Sequence, residues 1–190
     1  MKQLLFCFAV VFLFACNSPK IIDDLSDVSF TMLNQDNVEV TFPDDYKGKY
    51  VVMGFLYTNC PDVCPMITQN MKKIQTELGN PDDIQFVGVS FDYMRDTPSV
   101  LKGYKEAFDL DENFNFLTAA DTTVMNAFLD TVRVRSQVSF ETVSDTGEDL
   151  YFLNHSDKIM VINPKGHLIF EYGGSMTRPA MIVEDIRTVY

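Results

Sequence analysis

The sequence predicts an α/β fold, a central mixed sheet flanked by helices, with an N-terminal β-hairpin and an inserted segment before the last hairpin. Three observations predict it. Tyr50–Tyr57 and Ile84–Phe91 are almost unbroken apolar runs of strand length, as expected of strands covered on both faces. Each is followed by apolar residues at helical spacing, and strand–helix alternation implies parallel pairing through right-handed crossovers. The last third then reads strand, turn, strand, helix.

Taken in order, Val28–Leu33 and Val38–Phe42 alternate and flank Asn34-Gln35-Asp36-Asn37, a hairpin signal. After Tyr50–Tyr57, a helix following Pro65 carries Ile67, Met71, Ile74 and Leu78 on one stripe, and Gly79-Asn80-Pro81 stops it. After Ile84–Phe91, Thr97 is the expected N-cap and Pro98 the first turn of a helix that faces inward with Leu101, Tyr104 and Phe108. A third helix, 122–130, precedes a strand-like stretch, 132–140, and Asp145-Thr146-Gly147 turns the chain back toward Tyr151. Ile159–Ile162, the turn Asn163-Pro164-Lys165-Gly166, Leu168–Tyr172 and a helix with Ile182, Val183, Ile186 and Val189 close the chain. This order resembles the thioredoxin plan.

With 190 residues, 46% of them hydrophobic and including 16 Phe and 8 Tyr, the chain has the apolar content for one domain. Lys2, the apolar run Leu4–Phe14 and Ala15-Cys16 read as a secretion signal of the lipoprotein kind, too short for a comfortable membrane span. The expected organisation is a signal peptide over 1–15, a tether over 16–27 and the domain over 28–190. Cleavage before Cys16 places lipid on that cysteine and removes Cys7, so Cys60 and Cys64 remain the unmodified thiols. The expected location is the cell envelope, periplasm-facing and lipid-anchored to the membrane, where thiols meet an oxidising environment. A net charge of −12 excludes the basic stripe needed to bind nucleic acid.

The chemistry concentrates in Asn59-Cys60-Pro61-Asp62-Val63-Cys64-Pro65, directly after the first core strand. Cysteines four apart can close a disulfide across a tight turn or offer two soft thiolates to a metal. Pro65 disfavours helical geometry at Cys64, so the helix is expected to begin near Pro65 with the second thiol at its cap. There the macrodipole lowers a thiol from its usual pKa of about 8.5. Thiolate serves metal binding and disulfide attack equally, so this loop leaves both open.

His155 bears on that choice. Counted back from Ile159–Ile162, His155-Ser156-Asp157 falls where thioredoxin-like folds carry a cis-proline facing the thiols, and no proline stands there. Two thiolates and an imidazole suit Cu(I) and tolerate Cu(II), whereas zinc asks for a fourth ligand such as water or Asp62.

Three blocks together resemble the Sco/SenC family of copper-binding, thioredoxin-like proteins: Gly54-Phe55-Leu56-Tyr57-Thr58-Asn59-Cys60-Pro61-Asp62-Val63-Cys64-Pro65; Ser90-Phe91-Asp92-Tyr93-Met94-Arg95-Asp96-Thr97-Pro98; and Asn154-His155-Ser156, followed by a strand and Asn163-Pro164-Lys165-Gly166. Tyr93 replaces a proline of the family pattern, and Asn154 and Asn163 replace acidic residues. The resemblance implies that Cys60, Cys64 and His155 bind copper, as Cu(I) or Cu(II). It implies a metallochaperone that delivers copper to the binuclear centre of cytochrome c oxidase, or a thiol/disulfide reductase that uses Cys60 and Cys64 to keep target cysteines reduced. The expected partner is a copper-accepting oxidase subunit or another cuproprotein, and the expected state a monomer. His167 is the reserve ligand, Met66 a further candidate, and Asp92, Arg95 and Asp96 a charged cluster beside the site.

Overall fold

A computed structural model describes residues 19–143 and 149–190. The leader, Cys16 and the turn expected at 145–147 lie outside the described residues. The core is an eight-stranded mixed sheet in the order β1-β10-β9-β4-β5-β6-β2-β3, and a separate two-stranded sheet pairs β7 with β8. In chain order the strands are β1 (Asp23–Asp24), β2 (Phe30–Asn34), β3 (Glu39–Phe42), β4 (Tyr50–Leu56), β5 (Ile84–Ser90), β6 (Phe114–Thr118), β7 (Ser136–Val143), β8 (Asp149–His155), β9 (Ile159–Ile162) and β10 (His167–Tyr172). The helices are α1 (Val63–Leu78), α2 (Pro98–Ala107), α3 (Thr122–Thr131) and α4 (Pro179–Arg187).

The expected α/β, thioredoxin-like arrangement is present. β4 and β5 run parallel in the register Tyr50↔Ile84 through Leu56↔Ser90, and β9 lies antiparallel on the other side of β4. The hairpin β2–β3 precedes this core, and the inserted segment before β9–β10 is the β7–β8 hairpin. Strand alternation divides the core in two. Val51, Met53 and Phe55 face one side with Met125 and Phe128 of α3, while Val52 and Phe86 face the other with Ile67, Met71 and Ile74 of α1 and Ile182, Val183 and Ile186 of α4. Gly54 lets α1 approach β4 closely, since a Cβ there would meet Met71 Sδ at 2.5 Å. Gly79, at φ +84°, ends α1 in the left-handed region.

Three local expectations are corrected. β6 occupies a stretch given no element by sequence and extends the parallel array beyond β5 through Phe86↔Phe114. Its five residues, lying between two helices, earn their strand from burial on the sheet. Within the stretch expected as a tether, 16–27, β1 at Asp23–Asp24 pairs with β10 and Leu25 is buried. Finally, α1 begins at Val63, so Cys64 lies inside the first turn instead of at the cap. Pro65 is tolerated because first-turn N–H groups have no helical acceptor, and its missing donor costs nothing there. Among the described residues, no helix is long and apolar enough to cross a membrane.

Candidate metal centre

Two layers of the molecule supply the site. The end of β4 and the first turn of α1 bring Cys60 and Cys64, and the end of β8 brings His155. One donor atom from each lies within 4.8 Å of the others. Cys64 Sγ is 3.5 Å from His155 Nε2 and accepts the Tyr57 N–H at 3.4 Å; Cys60 Sγ accepts the Cys64 N–H at 3.5 Å. Cys64 is fully buried, Cys60 is 8% exposed and His155 is half-buried. Both cysteines are free.

The imidazole is oriented on its far side. His155 Nδ1 lies 3.0 Å from the Ser156 carbonyl oxygen. A carbonyl only accepts, so the proton belongs on Nδ1 and the Nε2 lone pair faces the sulfurs. The rings of Phe91 and Tyr57 wall the imidazole at 4.8 and 5.7 Å between centroids.

The expected lowering of the Cys64 pKa is reversed. Burial pushes the thiol up, the Tyr57 N–H opposes the shift only in part, and Cys60 and Asp96 push it further. Desolvation outweighs the helix terminus because Cys64 sits within the turn and beneath the loop. A soft cation that displaces the proton removes this penalty, because the ion then compensates the buried charge.

Two networks hold the parts together. Asp96, wholly buried, accepts the Thr58 N–H at 2.9 Å, the Thr58 hydroxyl at 2.5 Å and the Ser90 hydroxyl at 2.5 Å, which ties the cysteine loop to the end of β5. Burial raises its pKa, and these three donors oppose that rise. Asp92 and Arg95 fasten the other half. Arg95 Nε and Nη2 each lie 2.6 Å from Asp92 Oδ2, Nη1 donates to the Tyr151 carbonyl at 3.0 Å, and the guanidinium sits 3.4 Å over the Tyr151 ring. The Tyr151 hydroxyl donates to Asp92 Oδ1 at 2.6 Å, and its pKa is pushed up to about 12 by burial and by that carboxylate. Tyr151, Leu153 and His155 share the inward face of β8, so a clasp on Tyr151 steadies the imidazole four residues on.

The other candidates stand apart. His167 faces Asp24 at 3.7 Å on the sheet edge, and Met66 is exposed on α1. Asp62 is exposed, and among the described residues no carboxylate joins the three donors. Tyr57 and Phe91 lie in two of the three sequence blocks without an assigned role and Tyr151 lies outside all three; an aromatic at the end of a core strand that leads into a cysteine loop is the signal that marks Tyr57.

A thioredoxin-like fold with two buried thiols and an oriented imidazole defines a class, that of thiol proteins built for a soft ion or for disulfide exchange. The chain belongs to the SCO1/SenC family, which matches residues 22–190. The SCO1 protein homolog of Bacillus subtilis is 27% identical over 183 residues, 94% of this chain and 91% of that one. Against two mitochondrial relatives the chain spans 50% and 54% of their lengths. A SCO1/SenC family lipoprotein from Bacillus anthracis has a similar structure at TM-score 0.73 and 29% identity, covering 90% of this chain and 98% of that one. Bradyrhizobium japonicum ScoI with copper bound matches at TM-score 0.72 and 23% identity, over 86% of this chain and 98% of that one.

Proposed function

We propose that this protein is a copper carrier that holds one ion between Cys60, Cys64 and His155 and delivers it for assembly of the copper centre of cytochrome c oxidase. The observation that carries this reading is the convergence of two sulfurs and one imidazole nitrogen within 4.8 Å. That donor set suits a soft cargo of low coordination number. Transfer proceeds by ligand exchange, an incoming donor replacing one protein donor at a time. Family membership supports the reading, as does the copper-bound state of the Bradyrhizobium relative. The carrier acts as a monomer at the periplasmic face of the envelope, anchored through lipid on Cys16 once residues 1–15 are removed. The N-terminal sequence supports that placement, together with the lipoprotein description of the Bacillus anthracis relative.

The test is copper titration of the reduced chain against its His155→Ala variant. One copper per chain is expected, with a loss in the variant larger than the roughly 10–100-fold that removal of an outer partner costs. Unchanged affinity removes the imidazole from the site.

A second reading, thiol/disulfide reductase, is favoured by two free thiols whose sulfurs lie within 4.8 Å of each other, with Cys60, at 8%, the less enclosed of the pair. The Cys60 thiolate attacks a target disulfide and releases one target thiolate. Cys64 then loses its proton to the released target thiolate and attacks the mixed disulfide, releasing the second target thiolate; the two electrons that reduce the target come from the two thiols, which end as a Cys60–Cys64 disulfide. If His155→Ala still restores oxidase in cells while the cysteine variants do not, this reading wins.

A further inference from the structure

We infer that the outer face of the β7–β8 hairpin is the docking surface for the protein that receives the copper, and that it selects a partner presenting an apolar side chain next to a carboxylate. This rests on the carrier reading above. Among the described residues, Phe140 and Phe152 are the only exposed phenylalanines, at 56% and 39%, in a chain whose other described phenylalanines are buried or half-buried. They face each other across the two strands with ring centroids 6.3 Å apart. Phe152 and Asn154 alternate with the inward-facing Tyr151, Leu153 and His155, so they lie on the side turned away from the body. Gln137 pairs with Asn154 and extends that face toward the metal centre.

The face ends in an open recess of about 340 Å³ lined by Arg135, Gln137, Asn154, His155 and Ser156. His155 therefore belongs both to the donor set and to this surface. It is the most exposed of the three donors, because Cys64 is sealed and Cys60 nearly so. The recess reaches the imidazole but is lined by neither cysteine, so a partner seated there meets the donor set through His155 and lies over the adjoining aromatic pair.

Charge defines what sits there. Among the described residues Arg135 and Arg178 are exposed with no hydrogen-bond or ion-pair partner at the guanidinium, whereas Arg95, Arg133 and Arg187 each have one, and of the two only Arg135 lines the recess beside His155. An unpaired guanidinium beside amide and hydroxyl groups recognises a carboxylate. The net charge of −12 repels a partner that is acidic throughout, so the carboxylate stands on a neutral or basic surface. Aromatic and Arg side chains are also the groups that dominate interface energetics.

The experiment measures docking calorimetrically between the copper-loaded chain and the soluble copper-accepting domain of the host's own oxidase subunit, for the wild type, Arg135→Glu, Arg135→Lys and Phe140→Ser/Phe152→Ser. Metal content, thermal stability and oligomeric state are read first on each protein. Expected are copper content and stability as in the wild type, with docking about tenfold weaker in Arg135→Glu and in the double variant. Arg135→Lys retains most of the affinity, and the salt dependence of docking shrinks in Arg135→Glu. Equal docking by all four proteins, or none by the wild type, overturns the inference. So does self-association, or binding to phosphatidylglycerol vesicles, that the double variant abolishes, because either gives the face a different occupant. Failure of the wild type to take up copper overturns the carrier reading instead, and docking of the copper-free chain then still decides the surface.

Discussion

At the scale of single residues, the decisive feature is a thiol buried where it resists ionisation. Cys64 has no exposed surface and its pKa is raised by burial, so at neutral pH it enters the binding reaction carrying a proton. Binding copper expels that proton. A rise in pH removes the competing proton, so affinity increases with pH, about tenfold per pH unit for each proton displaced. A competition titration with a chelator of known pH dependence, run from pH 6 to 8, checks the slope; a flat profile means that Cys64 is already ionised. His155 behaves differently, because its Nδ1 is committed to the Ser156 carbonyl and Nε2 is poised as a lone pair. One donor has to be activated and another is ready, which suits a site that fills when the metal arrives.

The elements divide the same labour. The thiols stand on the junction of β4 and α1, inside the main sheet and its helical layer, while the imidazole stands on a hairpin that pairs only with itself. The clasp of Asp92, Arg95 and Tyr151 therefore governs how firmly the third donor is held. In Arg95→Gln, Asp92 keeps its buried charge without its cation, a loss of about 3 kcal/mol for a pair of this kind. The expected outcome is faster amide exchange in β8, with β4 and β5 unchanged. Hydrogen exchange followed by mass spectrometry measures it, and equal acceleration throughout the sheet shows a global effect instead. Copper affinity in this variant should fall toward that of His155→Ala.

At the scale of the whole molecule, two cores share one sheet and do different work. The face beneath α1 and α4 packs Ile182 completely, so Ile182→Ala should cost about 2–5 kcal/mol in urea unfolding. Cys60 and Cys64 belong to the opposite core, so their titration by a thiol reagent in native buffer should be unaltered. This division also explains what could be read in advance. β4 and β5 are legible because burial on both faces leaves unbroken apolar runs, and the cysteine spacing and His155 are legible because their residue types are rare. β6 is not, since Phe114-Asn115-Phe116-Leu117-Thr118 is short and only its seat beside β5 makes it a strand. β1 has two residues and no pattern of its own. The Cys64 environment is not legible in the sequence, because two local rules, the pre-proline preference and the helix terminus, are both outweighed by enclosure, which exists only once the chain is packed.

The isolation of the β7–β8 ribbon has a further consequence. A strand inside the large sheet cannot change length without disturbing the alignment of its neighbours, whereas paired residues added to this ribbon beyond the Tyr151 clasp, on the side away from His155, alter only its reach. Such a part can change while the two apolar cores of the main sheet are left alone, and a chimaera that exchanges residues 136–155 between relatives should fold as either parent does.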